Sequence, residues 1–188
     1  MREGVEIIKR LWTEPIVSHN GTYYRVKEAV SNPKPVQKPH PPVWFGGRSR
    51  ELMKAVAELG DGWLPAIMTP QTYRTRLDDM EDLAADAGRS LKEIEAGYFP
   101  VTNISLNAKE ALETSKRCIA AGEIDQSASL SMETRLKWGV HGSPEMAVEN
   151  IEEFVDAGVR HFVFHIIPQR NTIGCMRLLA EKVLPQFR

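Results

Sequence analysis

Few residues in this sequence are placed to do chemistry, and the clearest lie between Pro41 and Ser49. The apolar run Val43-Trp44-Phe45 breaks into Gly46-Gly47 and then enters a helical pattern through Arg48 and Ser49. Two successive positions without side chains let a ligand approach the backbone. The first N–H groups of a following helix lack internal partners, so such a turn can receive an anion of phosphate size. A glycine pair also serves as an ordinary strand-to-helix turn, and neither a three-glycine dinucleotide fingerprint nor a Walker pattern is present.

His161 and His165 have a spacing that joins two ligands on one metal only when it lies on a helix. On a strand they stand about 13 Å apart at roughly 3.3 Å per residue, so no metal site is expected. Alternation sends Phe162, Phe164 and Ile166 to one face and His161, Val163, His165 and Ile167 to the other. In a barrel the greasier face meets the helices, and His165 would point inward near the carboxyl end of its strand, where barrel ligands bind. A histidine satisfied by structural hydrogen bonds is the alternative. Trp63, after Asp61-Gly62, could wall a ring-shaped ligand or pack in the core. Arg170, past Pro168, could meet an anionic group at the rim or be simply solvated. No Ser/His/Asp, Cys/His or paired-carboxylate spacing emerges, so nucleophilic hydrolysis has no candidate residue.

The elements that would position these residues begin with a helix whose apolar stripe is Val5, Ile8, Leu11 and Trp12. No capping residue precedes Arg2, which leads us to expect sequence upstream. Asn20-Gly21 then suits a tight hairpin turn with two positive φ angles, flanked by strands at 16–19 and 22–26. Five prolines between Pro33 and Pro42 make an extended connector. From residue 43 onward strands and helices alternate. Strands are expected at 43–46, 61–64, 95–104 and 159–167, the third irregular because of Gly97 and Pro100. Helices are expected at 49–59, 70–88, 108–121, 143–155 and 172–184. Thr69-Pro70 and Ser143-Pro144 are cap-and-proline starts, and Gly60, Gly88, Gly122 and Gly158 are stops. Residues 123–142 read as a long functional loop with one helical turn. Short loops cannot join parallel neighbours directly, so the alternation implies an α/β fold with a parallel sheet. A single domain is expected, with 1–42 as helix, hairpin and connector and 43–188 as four βα units.

Composition narrows the partners. The chain has 188 residues, 42% apolar and 26% charged, with 24 basic against 25 acidic residues for a net charge of −1. Neither sign gathers into a run, so a nucleic acid or an anionic membrane is not the expected partner; small molecules or protein chains are. Cys118 and Cys175 lie far apart within helical patterns and are expected as buried thiols in a reducing cytoplasm. No apolar run is long enough to span a membrane.

The chain resembles the bacterial luciferase-like family of barrel oxidoreductases, which use FMN or the deazaflavin coenzyme F420. The stretches that carry the resemblance are Glu6-Ile7-Ile8-Lys9-Arg10-Leu11-Trp12, Asn20-Gly21-Thr22-Tyr23-Tyr24, residues 33–39 leading to Trp44-Phe45-Gly46-Gly47, and Asp61-Gly62-Trp63. Gly142-Ser143-Pro144-Glu145 and residues 156–162 resemble the family's closing helix and strand. The resemblance implies a partial TIM (β/α)8 barrel, of which this chain supplies parallel strands five to eight with their helices. It also implies that Gly46 and Gly47, helped by Arg48 or Ser49, cradle the phosphate-bearing tail of coenzyme F420, with FMN as the alternative. The implied activity is hydride transfer to or from a small organic substrate. A full barrel needs about 250 residues, so the expected chain works with a second copy or an N-terminal half-barrel partner. A non-catalytic flavin-binding or assembly protein is the competing expectation.

Overall fold

The computed structural model describes residues 1–122 and 130–187. The first helix, α1 (Arg2–Thr13), lies against the body of the protein through Ile7, while Ile8, expected in the buried stripe, is 43% exposed. The hairpin strands are β1 (Val17–Asn20) and β2 (Arg25–Ala29), paired antiparallel with Asn20 opposite Arg25. Neither Asn20 nor Gly21 has the positive φ a tight two-residue turn requires, so that expectation is corrected to a four-residue loop closed by Gly21 N–H on the Tyr24 carbonyl at 3.0 Å. The reason is Glu3. Its carboxylate fills the hollow of the loop, accepting from the Tyr23 and Tyr24 N–H groups and pairing with His19 Nε2 at 3.0 Å. A Cβ on Gly21 would fall 2.0 Å from Glu3 Oε1, so only glycine leaves room for it. The connector is tied back by Lys34, whose ammonium donates to the carbonyls of Leu11 and Glu14 at the end of α1.

Two parallel sheets follow. One has the order β3 (Trp44–Phe45), β4 (Gly62–Trp63), β5 (Glu95–Tyr98) and β8 (His161–Phe162); the other has β7 (Gly139–Gly142), β6 (Val101–Ile104) and β9 (His165–Ile166). β5 and β6 are the expected 95–104 strand interrupted at Phe99-Pro100, and β8 and β9 are the expected 159–167 strand interrupted at Val163-Phe164. Val163 N–H to the Tyr98 carbonyl and His165 N–H to the Pro100 carbonyl carry the ladder across both breaks. β7 was not expected. Residues 130–142, read from sequence as loop with one helical turn, hold that turn as α5 (Met132–Leu136) and then this strand; the remainder of the expected loop, 123–129, lies outside the described residues.

The helices form where their caps predict. Ser49 Oγ accepts from Leu52 N–H to start α2 (Arg50–Leu59), and Thr69 Oγ1 accepts from Thr72 N–H to start α3 (Pro70–Asp86). α4 (Ala108–Ala120) is capped by Asn107, and α6 (Pro144–Asp156) by Ser143. α7 (Thr172–Leu178) continues through a wider turn at Leu179–Val183 and a tight one at Leu184–Phe187.

One core packs α2, α3 and α6 against the first sheet through Phe45, Met53, Val56, Trp63, Tyr73, Met80, Tyr98 and Phe154. Tyr73 stacks on Trp63 at 5.2 Å and Tyr98 on Phe154 at 4.3 Å, and each ring buried this way is worth roughly 1.5–3 kcal/mol. A second core joins Ile104 and Val140 of the other sheet to α6 and α7 through Ala147, Ile151, Cys175 and Leu179. The opposite face of that sheet is covered by α4: Val101 meets Cys118, and Asn103 Nδ2 donates to the Ala111 carbonyl and Ser115 Oγ. The second sheet is therefore covered by helices on both faces.

Candidate functional site

The turn after β3 is the first part of the site. Gly46 and Gly47 are exposed, and Gly47 has φ +119, a conformation side chains other than hydrogen rarely adopt. A Cβ on Gly47 would press on Leu52 Cδ2 at 3.0 Å, whereas one on Gly46 would meet only the Leu64 carbonyl at 3.6 Å. Space above Gly46 is thus open, and the backbone there can be reached closely. Ser49 uses its hydroxyl on Leu52 N–H and its carbonyl on Met53 N–H. The N–H groups ahead of these, at the first turn of α2, have no carbonyl within the helix to bond and suit an anion. These features fit a phosphate group of a flavin or deazaflavin.

Arg48 is exposed at the lip of the turn, and its Nη1 donates to the Ile67 carbonyl. Ile67 itself has φ +59, unusual for a β-branched residue and costing roughly 1–3 kcal/mol. Beside this contact lies a cavity of about 600 Å³ whose lining includes Arg48, Ser49, Met68, Thr69, Thr72, Arg76, Thr134 and Trp138. Among the described residues its lining carries no carboxylate. The Tyr98 hydroxyl fixes the back of this region. It accepts from Met68 N–H at 3.2 Å and is 2.8 Å from both the Met68 and Trp138 carbonyls, one of which takes its proton. Burial pushes the Tyr98 phenol well above its ordinary pKa, so it stays protonated as a structural donor.

The remaining sequence candidates fall elsewhere. Trp63 is only 1% exposed and stacks on Tyr73 within the core, so it does not wall an open cavity. It supports the site from beneath, its indole N–H donating to the Gly47 carbonyl at 2.9 Å. His165 stacks on Phe99 at 5.4 Å, while Phe162, Phe164 and Ile166 pack against the second core. His161 stacks on Trp44 at 5.0 Å; Trp44 is half-buried and His161 exposed, so part of the first sheet presents aromatic surface. Arg170 lines a separate cavity of about 420 Å³ with Asn103, Ser105, Glu110, Thr114 and Asn171. The structure therefore joins Gly46, Gly47, Arg48, Ser49 and Trp63 into one unit and leaves Arg170 in another.

Sequence reasoning missed Arg76, Thr69 and Thr72. Thr69 and Thr72 open α3 next to the carboxyl end of β4, and Arg76 sits one turn on. Recognising that α3 starts at the same end of the sheet as the Gly46 turn would have found them. It also missed the buried cluster of His141, Ser115 and Asn103, in which His141 Nδ1 and Ser115 Oγ are 3.0 Å apart. Burial pushes the His141 imidazole down to about 4 and leaves its Nε2 without a hydrogen-bond partner among the described residues.

Cavities lie at the carboxyl ends of the parallel strands, beside an open glycine turn, the end of the sheet at which α/β folds bind small molecules. The chain belongs to the luciferase-like monooxygenase family, whose model matches residues 1–161. It is 27% identical over 205 residues to an F420-dependent glucose-6-phosphate dehydrogenase of Microbacterium testaceum, an alignment covering 100% of this chain and 60% of that protein. It is 29% identical over 188 residues to an FMNH(2)-dependent dimethylsulfone monooxygenase of Pseudomonas putida, covering 97% of this chain and 48% of that one. Its fold matches the coenzyme F420 dependent tetrahydromethanopterin reductase of Methanopyrus kandleri with a TM-score of 0.84 at 22% identity, over 100% of this chain and 62% of that one. The α/β barrel expectation holds, and the chain spans about 60% of the length of the dehydrogenase it matches. Among the described residues no helix is long and apolar enough to cross a membrane.

Proposed function

We propose that this chain holds the phosphate-bearing tail of coenzyme F420 in an oxidoreductase that moves hydride to or from a small organic substrate, with FMN as the alternative cofactor. The observation that carries this reading is the Gly46-Gly47 turn, open above Gly46, held from beneath by Trp63 and leading into the capped start of α2. Relatives named for F420-dependent dehydrogenation support the deazaflavin, and an FMNH(2)-dependent relative keeps FMN open. In this reading Gly46, Gly47, Arg48 and Ser49 hold the phosphate, while His165 and Arg170 face the substrate side. The bound cofactor supplies the hydride chemistry; the chain supplies binding and orientation.

Catalysis then draws on further strands, from a second copy or an N-terminal half-barrel. The aromatic surface of Trp44 and His161 supports that need, because an open sheet face of this kind gains by being covered. The same surface favours the second reading, a flavin-binding assembly protein without catalysis of its own. The buried cysteines Cys118 and Cys175 suit a reducing cytoplasm.

Titration of the purified chain with F420 and with FMN, followed by fluorescence, tests the cofactor assignment. Saturable binding is expected, weakened about tenfold or more in Gly46→Val, whose side chain fills the open space over the backbone. Unchanged affinity of that variant for both cofactors would refute the site. Sedimentation tests the need for a partner: self-association or co-assembly is expected, and a stable monomer with full turnover would contradict it.

A further inference from the structure

His141 is 3% exposed, and its Nε2 has no hydrogen-bond partner among the described residues. Bonds on the other side of the ring fix its tautomer. Ser115 Oγ is 3.0 Å from the Ala111 carbonyl, which can only accept, so the one hydroxyl proton is spent there. Asn103 Nδ2 donates to the same hydroxyl oxygen at 3.3 Å. Ser115 Oγ therefore meets His141 Nδ1, 3.0 Å away, with a lone pair; Nδ1 carries the ring proton and Nε2 is left as an acceptor. A buried acceptor without a donor is destabilising, and such a group in a folded protein calls for an occupant.

Nε2 opens on space. A Cβ on Gly139 would fall 2.5 Å from it, so the nitrogen lies over Gly139, and both residues line a cavity of about 220 Å³. An apolar cavity of about 150 Å³ already admits a benzene ring. The walls are apolar here too, formed by Leu112 of α4, Leu136 of α5, and Met146 and Phe154 of α6. Asn150, whose Oδ1 accepts from the His141 backbone N–H at 3.1 Å, adds an amide nitrogen with protons to donate. Glu133, Lys137 and Glu153 are exposed at the mouth, and Lys137 lies 3.8 Å from Glu133, so Glu153 leaves the entrance negative. None of these residues lines the cavity beside Arg48 or the one that holds Arg170.

We propose that this cavity is a second small-molecule site, separate from the cofactor turn, which takes a neutral ring of about benzene size carrying one hydroxyl or N–H donor. The donor bonds His141 Nε2, and a hydroxyl oxygen also accepts from Asn150. The ring lies among Leu112, Leu136, Met146 and Phe154, whose thioether and aromatic surfaces favour an aromatic partner. Anions are turned away by Glu153 and by the lone pair on Nε2. A metal ion fits less well, because no three His, Cys, Asp or Glu side chains are grouped to hold one among the described residues.

The test titrates the isotope-labelled intact chain with phenol and with toluene, which has nearly the same shape without the donor. Phenol should bind saturably and move the nitrogen resonance of His141 Nε2 as its lone pair accepts the hydroxyl proton; toluene should leave that resonance in place. The preference for phenol over toluene should fall about tenfold in His141→Leu, the loss of one buried hydrogen bond. Leu112→Phe fills the cavity from a half-buried position and should abolish binding of both rings with the circular dichroism of the fold retained. If His141→Leu does not fold, the wild-type nitrogen resonance decides. The inference is overturned by absent saturable binding of phenol, by an Nε2 resonance unmoved at saturation, by a preference unchanged in His141→Leu, or by phenol binding as tightly to Leu112→Phe. None of these results bears on the Gly46 turn, which the coenzyme titrations test separately.

Discussion

The indole N–H of Trp63 donates to the carbonyl of Gly47 at 2.9 Å, so a residue of β4 holds the turn that follows β3. The bond makes the shape of the turn depend on a neighbouring strand rather than on its own sequence. Trp63→Phe removes that donor and also the second ring packed in the core. The expected cost is about 2–3 kcal/mol in urea unfolding, most of it from the cavity, accompanied by weaker cofactor binding at the loosened turn. Full stability and full affinity in this variant would show that the bond does not shape the site.

Gly46 and Gly47 separate folding from binding. Gly47 has φ +119 and a Cβ there would crowd Leu52, so Gly47→Ala should lower stability by about 1–2 kcal/mol. Gly46 has no positive φ and room for a methyl group, so Gly46→Ala should fold normally and lose affinity for the cofactor. Calorimetry of both variants, paired with the same fluorescence titration, reads the two effects. Normal affinity in Gly46→Ala would place the anion away from the turn.

His141 predicts an acid limb in the stability curve. Burial lowers its pKa from 6.5 to about 4, so the folded protein resists the proton that the unfolded chain accepts. Its contribution is fully present above pH 6.5 and is lost as the pH falls toward about 4. The loss approaches about 3 kcal/mol at the low end. Urea midpoints measured across that range should fall less steeply for His141→Gln than for the wild type. Identical slopes would assign the limb to other groups.

Arg89 closes α2 from outside. Its Nη1 donates to the carbonyls of Ala57 at 3.0 Å and Gly60 at 2.8 Å, at a helix end with no basic residue of its own. Arg89→Gln should cost about 2 kcal/mol in chemical denaturation, since carbonyls that lose a charged donor are left short of a partner. A change below a few tenths of a kcal/mol would show that water replaces the guanidinium.

Local signals were legible and crossings between elements were not. Thr69-Pro70, Ser143-Pro144 and the glycine stops marked helices because capping is a matter of neighbours in sequence. β7 escaped because Gly139-Val140-His141-Gly142 is buried at every position and shows no alternation. Trp63 was ambiguous because a two-residue strand gives too little pattern to choose a face. The hairpin turn depended on Glu3, seventeen or more positions from Asn20, and no rule about Asn-Gly contains that carboxylate. Arg76 was hidden because it lies off the buried stripe of α3, and only the fold brings that side to the Gly46 turn.

The most direct measurement of the central claim is amide chemical-shift mapping by NMR as F420 is added to the isotope-labelled chain. The largest shifts should fall on Gly46, Gly47, Arg48, Ser49, Arg50 and Glu51, with the Trp63 indole N–H moving alongside them. Shifts confined to the residues around Arg170, or no shifts at saturating coenzyme, would contradict the claim that this turn holds the cofactor.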